Sequence, residues 1–220
     1  MTRLFLIRHG ATELSREDRF AGATDVNLSD EGRAQATALG ERLGREKLDA
    51  VYASPMKRTI ETARLLGKKH ALEPQLRDGL REINHGRWEE MTRKEVEASF
   101  KEEYANWEED PFTFAPQGGE SGLAVMARAL PALREIVVAH PAQTVAVVSH
   151  KATIRLLLCA LLGVDARGYR DRFDQSPCCL NVLDFKDTVR ARLMLYNDVS
   201  HYADRPRRSE AQLSAWWDHK

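Results

Sequence analysis

Apolar residues along this chain fall into runs of two kinds. Short unbroken runs, Leu4-Phe5-Leu6-Ile7 and Val145-Ala146-Val147-Val148, have the length and composition of strands buried on both faces. Asp49 to Ala53 reads as another such strand. Between them lie longer stretches with apolar residues at helical spacing, and this alternation predicts an α/β protein: a three-layer α/β/α sandwich with a mostly parallel central sheet.

Local signals place the helices. Ser29 caps a helix whose first turn carries Asp30 and Glu31, favourable at the positive end of the helix dipole, with Gly32 as a weak link. Ser54-Pro55 reads as an N-cap followed by proline at the first helical position, opening a helix to about Gly67 with Arg58 near the sheet rim. Thr92 with Glu95 is a capping-box signal, and Val96, Phe100, Tyr104 and Trp107 follow on one face. A loop at Gly118 to Ser121 opens a longer helix that Pro131 is expected to kink or divide. Ala152 to Leu162 is apolar nearly all round, as a buried helix stopped at Gly163 would be. Cys179 to Phe185 and Ala191 to Tyr196 form a hairpin across Lys186 to Arg190. In the polar tail, about 201–220, Ser209 and Gln212 cap a short helix that packs Trp216 and Trp217, within the monomer or at a homodimer contact.

With no repeat or linker, 220 residues read as a single domain, 1–220, with a substrate-covering segment at about 83–118. Lys and Arg number 33 and Asp and Glu 33, so no global field argues for nucleic acid or an anionic membrane as partner, and any anion site must be local. Three cysteines, two of them adjacent, make neither a disulfide framework nor a zinc pattern and suit a reducing cytoplasm. The longest apolar stretch, Leu156 to Val164, is far below membrane-spanning length.

Both strand runs end in a basic-histidine step, Arg8-His9-Gly10 and Ser149-His150-Lys151. If the strands are parallel neighbours, His9 and His150 share the rim where open α/β folds keep their ligands. Two imidazoles beside Arg8, with Arg58 at a helix N-terminus, suit a phosphoryl group: guanidinium groups answer its oxygens, and a neutral imidazole can attack its phosphorus. An acid is needed for the departing oxygen, and Glu82 is the candidate.

These residues stand in segments that resemble the histidine phosphatase, or phosphoglycerate mutase-like, superfamily. The segments are the strand into Arg8-His9-Gly10 with Thr12-Glu13, then Asn27-Leu28-Ser29 to Gln35-Ala36, then Ser54-Pro55-Met56-Lys57-Arg58-Thr59 with Glu61-Thr62-Ala63. Leu80-Arg81-Glu82-Ile83 with Gly86 and Trp88, Gly118-Gly119-Glu120-Ser121 and Val148-Ser149-His150 complete the set. The resemblance implies the phosphoglycerate mutase-like fold, with His9 as phosphorylated nucleophile and Glu82 as proton donor and acceptor. It implies that Arg8, Arg58 and His150 hold the phosphoryl oxygens, that Thr12 and Ser149 add hydroxyl donors, and that neither metal nor cofactor is needed. The chain departs from the commoner family pattern at Leu14, Ser15, His85 and Glu90.

Three function classes follow: a phosphomonoesterase acting on a small phosphorylated metabolite, a cofactor-dependent phosphoglycerate mutase, and a non-catalytic phosphate-binding domain. The acidic and aromatic stretch from Tyr104 to Pro116, where such mutases carry basic residues, favours hydrolysis.

Overall fold

The computed structural model describes residues 1–16 and 19–206. Strands β1 (Thr2–Arg8), β2 (Ala50–Ala53), β3 (Gln75–Leu76), β4 (Thr144–Ser149), β5 (Leu180–Phe185) and β6 (Ala191–Asp198) form one sheet in the order β3-β2-β4-β1-β5-β6. The first four strands are mutually parallel; β5 runs antiparallel to β1, and β6 to β5.

Alternation along each strand divides the core into two layers. Phe5, Ile7, Val51, Ala146 and Val148 face Ala36, Leu39 and Leu43 of α2 (Asp30–Leu43) and Ala63 and Leu66 of α3 (Lys57–Gly67). Leu4, Leu6, Tyr52, Val145 and Val147 face Leu133 and Ile136 of α6 (Gly122–Ala139) and Leu157 and Leu158 of α7 (Lys151–Leu162). Helices on both faces are why the strands read as unbroken apolar runs. The α/β sandwich is therefore present, with the predicted terminal hairpin as its antiparallel edge. Three short elements had no signal in the sequence: α1 (Glu13–Arg16), strand β3 and α8 (Tyr169–Arg172).

Signals that are local in sequence held. The Ser29 side chain accepts from Gly32 N, Thr92 and Glu95 form both bonds of a capping box, and Gly163 ends α7 in the left-handed conformation. Three expectations need correction. The first concerns α3, which starts at Lys57 after Met56, not at Pro55; Asp25 from a distant loop accepts the Lys57 N–H at 2.7 Å, leaving the Ser54 hydroxyl for another partner. The second concerns the helix after Thr92, which is two helices, α4 (Arg93–Ser99) and α5 (Lys101–Glu109), parted where Phe100 leaves helical geometry beneath the Arg87 guanidinium. Val96 and Trp107 still meet, joining Phe20 and Trp88 in one buried cluster. The third concerns Pro131, which does not divide α6; the missing amide is tolerated on an exposed turn of a helix whose other face is fixed in the core. The helix expected near Trp216 and Trp217 lies outside the described residues.

Candidate active site

The pairing of β1 with β4 sets Arg8 opposite Ser149, so the chain leaves both strands at one level, with His9 and His150 next. Their ring centroids lie 5.2 Å apart. His9 N donates to Ser149 O at 3.0 Å, and Nδ1 of its ring lies 2.8 Å from Gly10 O. A carbonyl only accepts, so Nδ1 carries the proton and Nε2 keeps its lone pair. Burial, then the Arg58 and Arg8 charges, hold the His9 pKa well below the usual histidine value, so the ring is neutral. Beyond it the chain passes so close to α2 that a Cβ on Gly10 would lie 2.5 Å from Gly32 O, and one on Gly32 2.1 Å from Ala11 O. Gly32, a weak link for helix propensity, is thus required by the approach of α2 to the histidine loop.

His150 is fully buried. Arg58 Nε donates to its Nδ1 at 3.3 Å, so Nε2 carries the proton toward Ser54 Oγ at 2.8 Å. Burial, Arg58 and His9 keep this ring neutral too. Arg58 Nη1 and Nη2 donate to Thr24 O and Gly22 O, and that loop is held by one carboxylate: Glu89 accepts from the amides of Gly22, Ala23, Thr24 and His85 and from Thr24 Oγ1.

Arg8 Nη1 donates to Gln175 O at 2.6 Å. Glu82 sits on the N-terminus of α7, accepting from Ala152 N, Thr153 N and Thr153 Oγ1 as well as from its neighbour Ile83 N. Arg8, His9, Thr12, Arg58 and Glu82 all line one cavity of about 200 Å³, with His150 directly behind His9. Two expected residues do not line it: His150, fully buried with both ring nitrogens committed to Arg58 and Ser54, and Ser149, fully buried and giving its hydroxyl proton to Leu80 O at 2.9 Å.

The cavity wall also carries residues that sequence reasoning passed over: Arg19, Arg93, Lys151, Arg155 and Arg170. A readable signal existed for Arg155, a charge in the middle of an otherwise apolar helix one turn after Lys151. The acidic cover stretch does not face the ligand space as a negative wall; its Glu108 pairs with Arg170, whose guanidinium lies 3.8 Å from the centre of the Trp107 ring. The cavity is thus strongly positive in a chain of zero net charge, and Trp107, Phe20 and His85 close its outer side. Among the described residues no group of three or more His, Cys, Asp or Glu is placed to hold a metal ion, and no helix is long and apolar enough to cross a membrane.

Residues 4–199 match the family model of the histidine phosphatase superfamily (branch 1), and the chain belongs to this superfamily. It is 41% identical over 165 residues to phosphoserine phosphatase 1 of Hydrogenobacter thermophilus, covering 75% of this chain and 78% of that protein. It is 36% identical over 169 residues to glucosyl-3-phosphoglycerate phosphatase of Mycolicibacterium vanbaalenii, covering 74% and 75%. Among solved structures, Bacillus stearothermophilus YhfR superposes with a TM-score of 0.85 at 30% identity, over 91% of this chain and 99% of that one. The protein is accordingly a phosphatase, a phosphoric monoester hydrolase of the phosphoglycerate mutase-like fold.

Proposed function

We propose that the enzyme hydrolyses phosphomonoesters of small metabolites through a phosphohistidine on His9. The observation that carries this reading is the state of the His9 ring: neutral, its Nδ1 proton committed to Gly10 O, and its Nε2 lone pair on a ring lining a cationic cavity. Nε2 attacks phosphorus as the ester P–O bond breaks, and Arg8 and Arg58 answer the charge on the phosphoryl oxygens. Glu82 gives its proton to the departing oxygen. The carboxylate so formed takes a proton from water, whose oxygen attacks phosphorus; the P–N bond breaks, and phosphate and neutral His9 are regenerated. Every participating group belongs to the chain, so turnover is expected to resist chelators.

Phosphate release by wild type and His9→Ala, with chelator present, tests the nucleophile. His9→Ala is expected to lose at least roughly a thousandfold in kcat while keeping a cooperative unfolding transition; a folded variant with substantial turnover removes His9 as nucleophile. Glu82→Gln separates the acid from a positioning role. Its kcat/KM is expected to fall roughly 10²–10⁴-fold for alkyl phosphates, and far less for p-nitrophenyl phosphate, whose leaving group needs little protonation. Equal losses on both substrates would reduce Glu82 to a binding residue.

A further inference from the structure

We propose that Lys151 and Arg155 form a second anion site in the same cavity, and that the preferred substrate is a phosphomonoester that also carries a carboxylate. The inference rests on the phosphatase reading of the site and deepens it.

The phosphoryl group is already provided for at the strand rim, where Arg8, His9 and Arg58 meet. Lys151 and Arg155 are additional to that set. They stand four residues apart on α7, hence on one face of the helix, and both line the cavity. One carboxylate faces the pair: Asp174 Oδ1 lies 3.2 Å from Arg155 Nη2 and 3.5 Å from Lys151 Nζ, and it also accepts from Gln175 N. Asp174 therefore balances one of the two charges and leaves one.

That excess is held where water is scarce. Arg155 is 8% exposed, and its buried Nε has no hydrogen-bond partner among the described residues. Burial, together with the Arg155 and Arg8 charges, draws the Lys151 pKa down to about 7. An uncompensated buried cation is costly to a fold unless a bound counter-charge is its purpose. The helix N-terminus itself is not the receptor, since Glu82 occupies the amides of Ala152 and Thr153. An incoming anion must be met by the side chains, and a guanidinium with an open edge beside an ammonium suits a carboxylate. An incoming anion favours the protonated form of Lys151, and the one residual positive charge then matches a monoanion better than a second phosphate.

The test compares kcat/KM within substrate pairs that differ at the carboxylate: O-phosphoserine against O-phosphoethanolamine, and 3-phosphoglycerate against glycerol 3-phosphate. Wild type is expected to favour the carboxylated member at least tenfold, with the ratio falling toward one in Lys151→Met and in Arg155→Met and recovering in part in Arg155→Lys. Because Arg155 is buried, Lys151→Met decides the matter if Arg155→Met does not fold. His9-dependent hydrolysis without a carboxylate preference in wild type, or a preference undiminished in Lys151→Met, overturns the second site and leaves the phosphatase reading standing. So does a larger gain from a second phosphate, read as fructose 1,6-bisphosphate against fructose 6-phosphate. Absence of His9-dependent release from every substrate sinks the phosphohistidine reading itself.

Discussion

Single side chains around His150 show what a residue's neighbours in sequence reveal and what they conceal. Its place at the end of β4, opposite the end of β1, follows from two apolar runs that each lead into a basic-histidine step. Its protonation does not, because that depends on Ser54 and Arg58, brought to it only when β2 pairs with β4. Read locally, Ser54 before a proline is a helix cap; in the fold, its hydroxyl holds the Nε2 proton of a buried ring. Ser54→Ala leaves that N–H without its partner, and the expected cost is about 1–3 kcal/mol of stability. Urea unfolding at neutral pH checks it, and an unchanged midpoint would mean the pair contributes nothing. Ser149 illustrates the converse: it stands beside a site histidine in sequence, yet its hydroxyl belongs to Leu80 on the far side of the strand end.

At the scale of elements, the segment from Ala21 to Thr24 has no regular structure of its own, and its carbonyls nevertheless hold the Arg58 guanidinium. Glu89 fixes the segment through hydrogen bonds to both of its oxygens, so it acts on the site through Arg58 without lining the cavity. Glu89→Gln replaces one accepting oxygen by a donor where only donors face it. The expected result is a loss of roughly tenfold or more in kcat/KM for p-nitrophenyl phosphate, because a displaced guanidinium no longer meets the phosphoryl group. Weaker competition by inorganic phosphate, in the same proportion, would separate a displaced Arg58 from general destabilisation. Nothing in the sequence gives the Glu89 role away, since the segment it fixes lies more than 60 residues upstream. Caps and hairpins were legible because their partners lie within a few residues. The α6 proline was misjudged because local propensity says nothing of the core contacts that hold both halves in line. Pro131→Ala restores an amide for the Ala127 carbonyl on an exposed turn, and the expected gain is about 1–2 kcal/mol, smaller than the full helix-interior penalty because the unfolded chain gains freedom. A midpoint that fell in thermal unfolding would mean that the helix is shaped around the proline.

For the molecule as a whole, composition concealed the site: equal numbers of acidic and basic residues give no net charge, while the fold gathers cations into one cavity and neutralises the outward ones in surface pairs such as Arg33 with Glu61 and Arg3 with Asp184. The α/β class was legible because strands buried on both faces leave an unmistakable apolar signature, whereas a charge distribution exists only after folding. This gathering makes stability depend on pH. The His9, His85 and His150 pKa values are all lowered, chiefly by burial, below the ordinary value of about 6.5 that they regain on unfolding. As pH falls under about 6.5 the unfolded chain takes up protons that the folded one refuses, so stability is fully present above that value and is lost below it. Lys151 acts with the same sign in a higher window: its folded pKa of about 7 lies under the unfolded value near 10.4, so its contribution rises with pH between the two. An anion in the cavity favours the protonated rings and offsets the acid loss. Sulfate, whose charge is constant over this range, is therefore expected to raise the unfolding temperature more at pH 5.5 than at pH 8. Equal shifts at the two pH values would mean that the anion binds without proton uptake and that the three histidines stay neutral.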